Sequence, residues 1–106
     1  MPIIHANAGI VTQINVFAVI EGRQQALIDH LSEAARCCRA DVDGWISASL
    51  HRSHDGSRVV NYAQCRDMAS WEAVMERLKK GGFIDGNRQF ATAQPGLYDV
   101  VATFEK

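Results

Sequence analysis

The chain has 106 residues, of which 47% are hydrophobic and 22% charged, a balance that fits one cored domain over 1–106 and excludes a disordered chain or two independently cored units. Its formal net charge is −1 and its basic residues are scattered, which excludes the basic stripe that nucleic acid or an anionic membrane would require. The opening Met1-Pro2-Ile3-Ile4-His5 has no basic, long-apolar or cleavable leader pattern, so a cytoplasmic chain is expected, with Cys37, Cys38 and Cys65 as free thiols.

Residues 9–20 are β-branched and apolar on both faces, which suits a central strand buried on two sides. Glu21-Gly22 breaks the pattern, and Leu27, Ile28, Leu31, Ala35 and Cys38 then recur at helical spacing from Arg23 to about Arg39. Cys38 falls on that apolar seam, as a small buried filler. Asp41-Val42-Asp43-Gly44 reads as a turn, and Trp45 to Ser53 alternates as a second strand with Ile46, Ala48 and Leu50 on one face. His54-Asp55-Gly56 is a hairpin loop, and Val59 to Cys65 a third strand. Asp67 caps a second helix with a seam of Trp71, Val74, Met75 and Leu78, ended by Lys79-Lys80-Gly81-Gly82. A short helical stretch from about Phe83 to Ala91 follows, Pro95-Gly96 resets the chain, and Leu97 to Phe104 reads as the last strand.

The order is β-α-β-β-α-β, a ferredoxin-like α+β plan in which two helices cover one face of a four-stranded antiparallel sheet. If Phe17, Trp45 and Val59 lie on the uncovered face, a second copy of the chain is needed to cover it, and a two-fold homodimer follows. His5, His30 and His54 are assigned to the surface. No Cys-x-x-Cys, His-Glu-x-x-His or Gly-rich phosphate loop occurs, so an enzyme of this sequence is expected to work with no recognisable cofactor or metal site.

The hairpin decides which side chains share a face, because a one-residue change of register flips the pattern. A two-residue loop Asp55-Gly56 puts His51 opposite Val60 and across the sheet from Asn61. A three-residue loop His54-Asp55-Gly56, with Gly in the left-handed position, pairs Ser53 with Ser57 and gathers Ser47, Ser49, His51, Asn61 and Cys65 on one side. The second version is preferred because it leaves Ile46, Ala48, Leu50, Val60 and Tyr62 for the helices. Gln13 and Asn15 join the polar layer if Ile14, Val16 and Ala18 are the helix-facing set. Small polar residues with His, Asn and a thiol suit a ligand cavity better than a dry core.

The stretch Val42-Asp43-Gly44-Trp45-Ile46-Ser47-Ala48-Ser49-Leu50-His51, followed by Asp55-Gly56 and Val59-Val60-Asn61-Tyr62-Ala63-Gln64, resembles antibiotic biosynthesis monooxygenase domains, most closely the cofactor-free anthrone and quinol oxygenases. The resemblance implies a dimeric α+β barrel with a pocket in each monomer between sheet and helices, admitting a flat phenolic polycycle. It implies that His51 and Asn61 are polar pocket residues, Trp71 an aromatic wall residue and Arg88 a basic pocket residue. Cys65 departs from the pattern: such oxygenases usually carry there a tryptophan that lines the pocket, and a thiol cannot stack on a ring. Asn15, seven residues before Gly22, also resembles the strand-one asparagine of the haem-degrading branch. That branch needs a Trp at Cys65 and a His on the last helix, and Phe83 to Phe90 holds no His.

The implied function is a cofactor-independent monooxygenase acting on an aromatic quinol or anthrone-like polyketide substrate with molecular oxygen. Asn61, His51 and Arg88 are the catalytic candidates; Trp71, Cys65, Asn15 and Ser49 are the substrate-binding candidates. Asn61 donates to a developing oxyanion, Arg88 offsets its charge, and His51 or a water takes the proton. Plain structural roles compete: a half-exposed strand histidine, a strand-tying amide, a helix-seam indole and a solvated arginine. The alternative function is a non-oxidising dimeric ligand-binding or cyclase-like relative, which Cys65 favours.

Overall fold

The computed structural model describes residues 2–106. Strand β1 spans Val11–Val19, helix α1 Gln24–Asp41, strand β2 Trp45–Arg52, strand β3 Arg58–Cys65, helix α2 Met68–Lys80, the short helix α3 Phe83–Asn87 and strand β4 Ala91–Tyr98. The four strands form one sheet in the order β2-β3-β1-β4, and every neighbouring pair is antiparallel. This is the expected ferredoxin-like α+β arrangement, with the helices on one side.

The helices form where the apolar period predicted them. In α1 the buried residues Leu27, Leu31, Ala34 and Cys38 trace one face at three- and four-residue steps. Helix α2 opens on Asp67, whose carboxylate accepts from the Ser70 backbone N–H at 2.8 Å and from its hydroxyl at 2.6 Å; this satisfies an amide that the first turn leaves without a partner.

The last strand lies earlier than predicted. Pro95 and Gly96 do not break the chain before a strand at Leu97–Phe104; they sit inside β4, where Pro95 stands opposite Asn15. Strand β4 is at the sheet edge, where a residue without an N–H is tolerated because that side need not be paired. The predicted helical stretch to Ala91 also stops short, closing in tight turns that end with the Phe90 N–H donating to the Asn87 carbonyl.

The hairpin register reverses the preferred assignment of faces. Leu50 pairs with Asn61 and His51 with Val60, and the Ser53 N–H donates to the Arg58 carbonyl, not to Ser57. The loop is therefore the four residues His54–Ser57, wider by one than expected. Side chains account for the extra residue. The Asp55 carboxylate accepts from the Ser57 backbone N–H and from both the Ser57 and Ser53 hydroxyls, at 2.7–2.9 Å, which withdraws Ser57 from the ladder. The Ser53 hydroxyl oxygen accepts the Arg58 N–H at 2.8 Å. Gly56 keeps the left-handed conformation, φ 80°, that the turn requires.

As a result, Gln13, Asn15 and Phe17 share the helix side with Val59, Asn61, Ala63 and Cys65, while Ile14 and Val16 share the open side with Val60, Tyr62, Ser49 and His51. Trp45 joins the helix side as well. A bulge between Trp45 and Ser47 inserts Ile46 as an extra, exposed residue and flips the side chain preceding it. Phe17, Trp45 and Val59 therefore cannot be the uncovered apolar face on which the homodimer was argued.

Two clusters make up the core. Phe17, Leu27, Leu31, Val59 and Ala91 pack with Leu50 and Phe90 at one end; Cys38, Cys65 and Val74 pack with Val11, Trp45, Trp71 and Leu78 at the other. At the latter end the open side of the sheet is closed by the chain's own N-terminal segment. The Gln64 amide donates to the Ile3 carbonyl at 3.0 Å and accepts from the Ser47 hydroxyl at 2.9 Å, and the Asn7 N–H donates to the Val100 carbonyl.

Candidate active site

Strands β1, β2 and β3 each span both clusters. Along β1, Val11 belongs to one cluster and Phe17 to the other; along β3 the pair is Cys65 and Val59, and along β2 Trp45 and Leu50. Between them, on the helix side, stand Gln13 and Asn15, Asn61 and Ala63, and Ala48. These residues are too small or too polar to fill the space that the bulky residues at each end hold open. The result is a cavity of about 720 Å³ whose floor is those five residues and whose roof comes from the helices, including Trp71, Phe83, Ile84 and Asn87. That volume suits a drug-sized organic ligand.

The floor centres on two amides. Asn15 and Asn61 are direct cross-strand partners, so their side chains rise from neighbouring points of the sheet. Both amide oxygens are buried without a hydrogen-bond partner, as are the indole N–H of Trp71 and the amide oxygen of Asn87. Buried polar groups are ordinarily paired, and each one left alone costs on the order of 1–3 kcal/mol. Three amide oxygens that need a donor and one indole N–H that needs an acceptor, among the lining residues of one cavity, suit a ligand that carries hydroxyl groups.

Among the described residues, no carboxylate or imidazole lines the cavity. The ionisable groups there are Cys38, whose thiol burial pushes up to about 11, and Arg88, at the rim, 81% exposed and 4.0 Å from Asp85. No group of three or more His, Cys, Asp or Glu side chains among the described residues could hold a metal ion. The floor amides can therefore donate to or accept from a ligand, but the walls hold no side chain suited to take a proton near neutral pH.

Residues 10–78 match the profile of the family described as Antibiotic biosynthesis monooxygenase. The chain belongs to that family. It is 32% identical over 104 residues, 98% of its own length and 93% of the relative's, to the tetracenomycin-F1 monooxygenase of Streptomyces glaucescens. In fold it is similar to SnoaB, a cofactor-independent oxygenase from Streptomyces nogalater, with a TM-score of 0.80 over 93% of this chain and all of that one, at 22% identity; a mutant of SnoaB gives 0.81 at 21%.

In this antibiotic biosynthesis monooxygenase, the residues proposed from sequence divide between the two sides of the sheet. Asn15, Asn61, Trp71 and Arg88 line the cavity. His51 and Ser49 lie on the open face, paired with Val60 and Tyr62; His51 is exposed. Cys65 faces the helices but is packed in the core cluster with Cys38 and Val74, and burial raises its thiol above the ordinary value, with Asp67 adding to the effect.

Asn87 was missed, and Gln13, placed in the polar layer with Asn15 but not among the site candidates, also lines the cavity. Asn87 follows Phe83 and Ile84 at helical spacing, which places all three toward the same side of α3; a search of that segment for a histidine alone passes over it. Gln13 is two residues before Asn15, the strand period that puts both on one face.

Proposed function

We propose that this chain is a cofactor-independent monooxygenase of an aromatic quinol or anthrone-like polyketide substrate. The observation that carries this reading is the Asn15–Asn61 pair, two half-buried side chains whose amide oxygens are buried without a partner, side by side on the floor of a cavity walled by apolar and aromatic residues. The similarity to a tetracenomycin-F1 monooxygenase and to a cofactor-independent oxygenase supports the same chemistry.

Ground-state oxygen is a triplet and reacts slowly with closed-shell organic molecules, so the substrate itself must supply an electron-rich anion. An anthrone or quinol does so on losing one proton, which leaves charge on an oxygen. Amide N–H donors fixed beside that oxygen stabilise the anion without having to reorganise. The anion passes an electron to oxygen, the resulting pair combines at carbon, and loss of water leaves a carbonyl: a ring CH₂ and O₂ give C=O and H₂O. Asn61 and Asn15 hold the oxyanion, Trp71 bounds the ring system, and Arg88 adds a screened positive charge at the rim. His51 is too far around the sheet to take the proton. With no base on the walls, the proton leaves to water, which restricts the enzyme to substrates that are acidic before they bind.

The enzyme acts in the cytoplasm as a homodimer. The open sheet face offers Ile14, Val16, Val60 and Tyr62, all only partly buried, with the exposed Tyr98 of β4 on the same face; covering such a patch is a common reason to pair. Sedimentation at micromolar concentration should give twice the chain mass.

The deciding experiment is oxygen consumption with a panel of quinols and anthrones, with no flavin or metal added. Uptake by the wild type that falls in Asn61→Ala supports the assignment. Ligand binding with no uptake above buffer for any substrate would leave the chain as a non-oxidising or cyclase-like binding relative.

A further inference from the structure

Helix α3 has five residues, Phe83–Asn87, too few to hold a helical conformation without outside support. His30 of α1 supplies that support. Its Nε2 lies 3.1 Å from the Phe83 carbonyl, and since a carbonyl only accepts, Nε2 carries the proton. The imidazole is also tilted against Phe83 and Phe90, with centroids 5.5 and 5.3 Å away, and the Arg23 guanidinium lies 4.7 Å from the Phe90 ring centroid. His30 is thus not the solvated surface histidine that its place on a helix suggested. Gly86 is what lets α3 approach so closely, because a Cβ there would sit 2.7 Å from the His30 ring.

This clamp fixes the orientation of Asn87. Its amide oxygen is buried and unpartnered, its residue lines the roof of the cavity, and nothing in the mechanism above uses it. The Asn15–Asn61 pair lies on the sheet below, so the cavity carries amides on two opposed walls with apolar side chains between.

We propose that Asn87 is a specificity-determining residue, which hydrogen-bonds an oxygen substituent on the edge of the ligand facing α3, and that His30 and Gly86 are its positioning residues. The inference rests on the cavity being the ligand site. It assigns the ligand class more narrowly: an aromatic polycycle bearing hydroxyl or carbonyl oxygens on two opposite edges. An amide can donate or accept, so either function is recognised.

Anthraquinones, already oxidised, separate binding from turnover. Equilibrium binding of two probes is measured, one hydroxylated on both outer rings and one hydroxylated on a single ring. Asn87→Ala should weaken the first by about tenfold, the size of one hydrogen bond to a neutral group, and leave the second unchanged. His30→Ala should give the same selective loss, and His30→Gln, which keeps an N–H for the Phe83 carbonyl, should restore it. Asn61→Ala should weaken both probes. If Asn87→Ala and its milder counterpart Asn87→Ser weaken both probes equally, or neither, while Asn61→Ala weakens both, the assignment of Asn87 is wrong and the cavity stands. If the wild type binds neither probe, or Asn61→Ala has no effect, the reading of the cavity fails and this inference with it.

Discussion

On the helix side of the sheet, Phe17 and Val59 are sealed against Leu27 and Leu31, whereas on the other side Ile14, Val16, Val60 and Tyr62 stand partly buried with no helix above them. Both sides carry polar residues at mid-strand: Asn15 and Asn61 on one, Ser49 and His51 on the other. Only the first pair faces a cavity, because the two apolar clusters brace α1 and α2 away from the sheet and leave the middle unfilled. Polarity alone therefore does not mark a site. Polarity set into a cavity between braced clusters does, since the amide oxygens there are buried with no hydrogen-bond partner in exchange.

The largest expected effect tests the bracing itself. Phe17→Ala should destabilise the fold by about 3–5 kcal/mol, the cost of a buried aromatic and the void it leaves, while His51→Ala on the open face should stay within about 0.5 kcal/mol. Urea unfolding of the two variants measures the contrast. Equal costs would mean that the two faces are not differently packed.

Next is catalysis. Removing one fixed donor to an oxyanion typically costs on the order of 10²–10³ in kcat, so Asn61→Ala should lose about that much oxygen-uptake rate and His51→Ala and Ser49→Ala almost none. A loss in His51→Ala matching that of Asn61→Ala would return the histidine to the chemistry and require the hairpin register to be different in solution.

These two outcomes hinge on a parity that was only half legible in sequence. The helical seams, the Asp67 cap and the sequence of elements along the chain follow from local patterns, because each is set by residues within a few positions of one another. The faces do not. They depend on whether Ser57 pairs or is captured by Asp55, a choice between two nearly equal turns made by side-chain hydrogen bonds, and on a bulge at Ile46 that turns Trp45 inward. The last strand was misplaced because a proline breaks a central strand and not an edge one, and edge position is a property of the whole sheet. Asn87 and His30 were passed over because their meaning comes from the contact between α1 and α3, which are far apart in sequence.

Cys65 separates the two regions on a smaller scale. If it is core, as its packing with Cys38 and Val74 indicates, Cys65→Trp inserts an indole into filled space and should cost about 1–3 kcal/mol with no gain in oxygen uptake. If the variant instead consumes oxygen faster at unchanged stability, position 65 opens on the cavity and the boundary between cluster and cavity must be moved by one residue.

The smallest effect concerns the loop that sets the parity. Hydrogen bonds from the Ser57 hydroxyl, then the Ser57 backbone N–H and the Ser53 hydroxyl, hold the Asp55 carboxyl down at about 2, against an ordinary value of 3.8. Because the folded value is the lower one, the carboxylate favours the folded state at all pH above 3.8, and this contribution fades as pH falls through about 2. Asp55→Ala lacks it at every pH. The difference in urea midpoint between wild type and variant should therefore be constant from neutral pH down to the ordinary carboxyl range and narrow below it. Asp67, also lowered by hydrogen bonds from Ser70, titrates in both proteins and cancels in the difference. A difference that persists unchanged into strong acid would show that Asp55 shapes the loop by geometry alone, and the capture of Ser57 that turns Asn61 toward the helices would then owe nothing to the carboxylate charge.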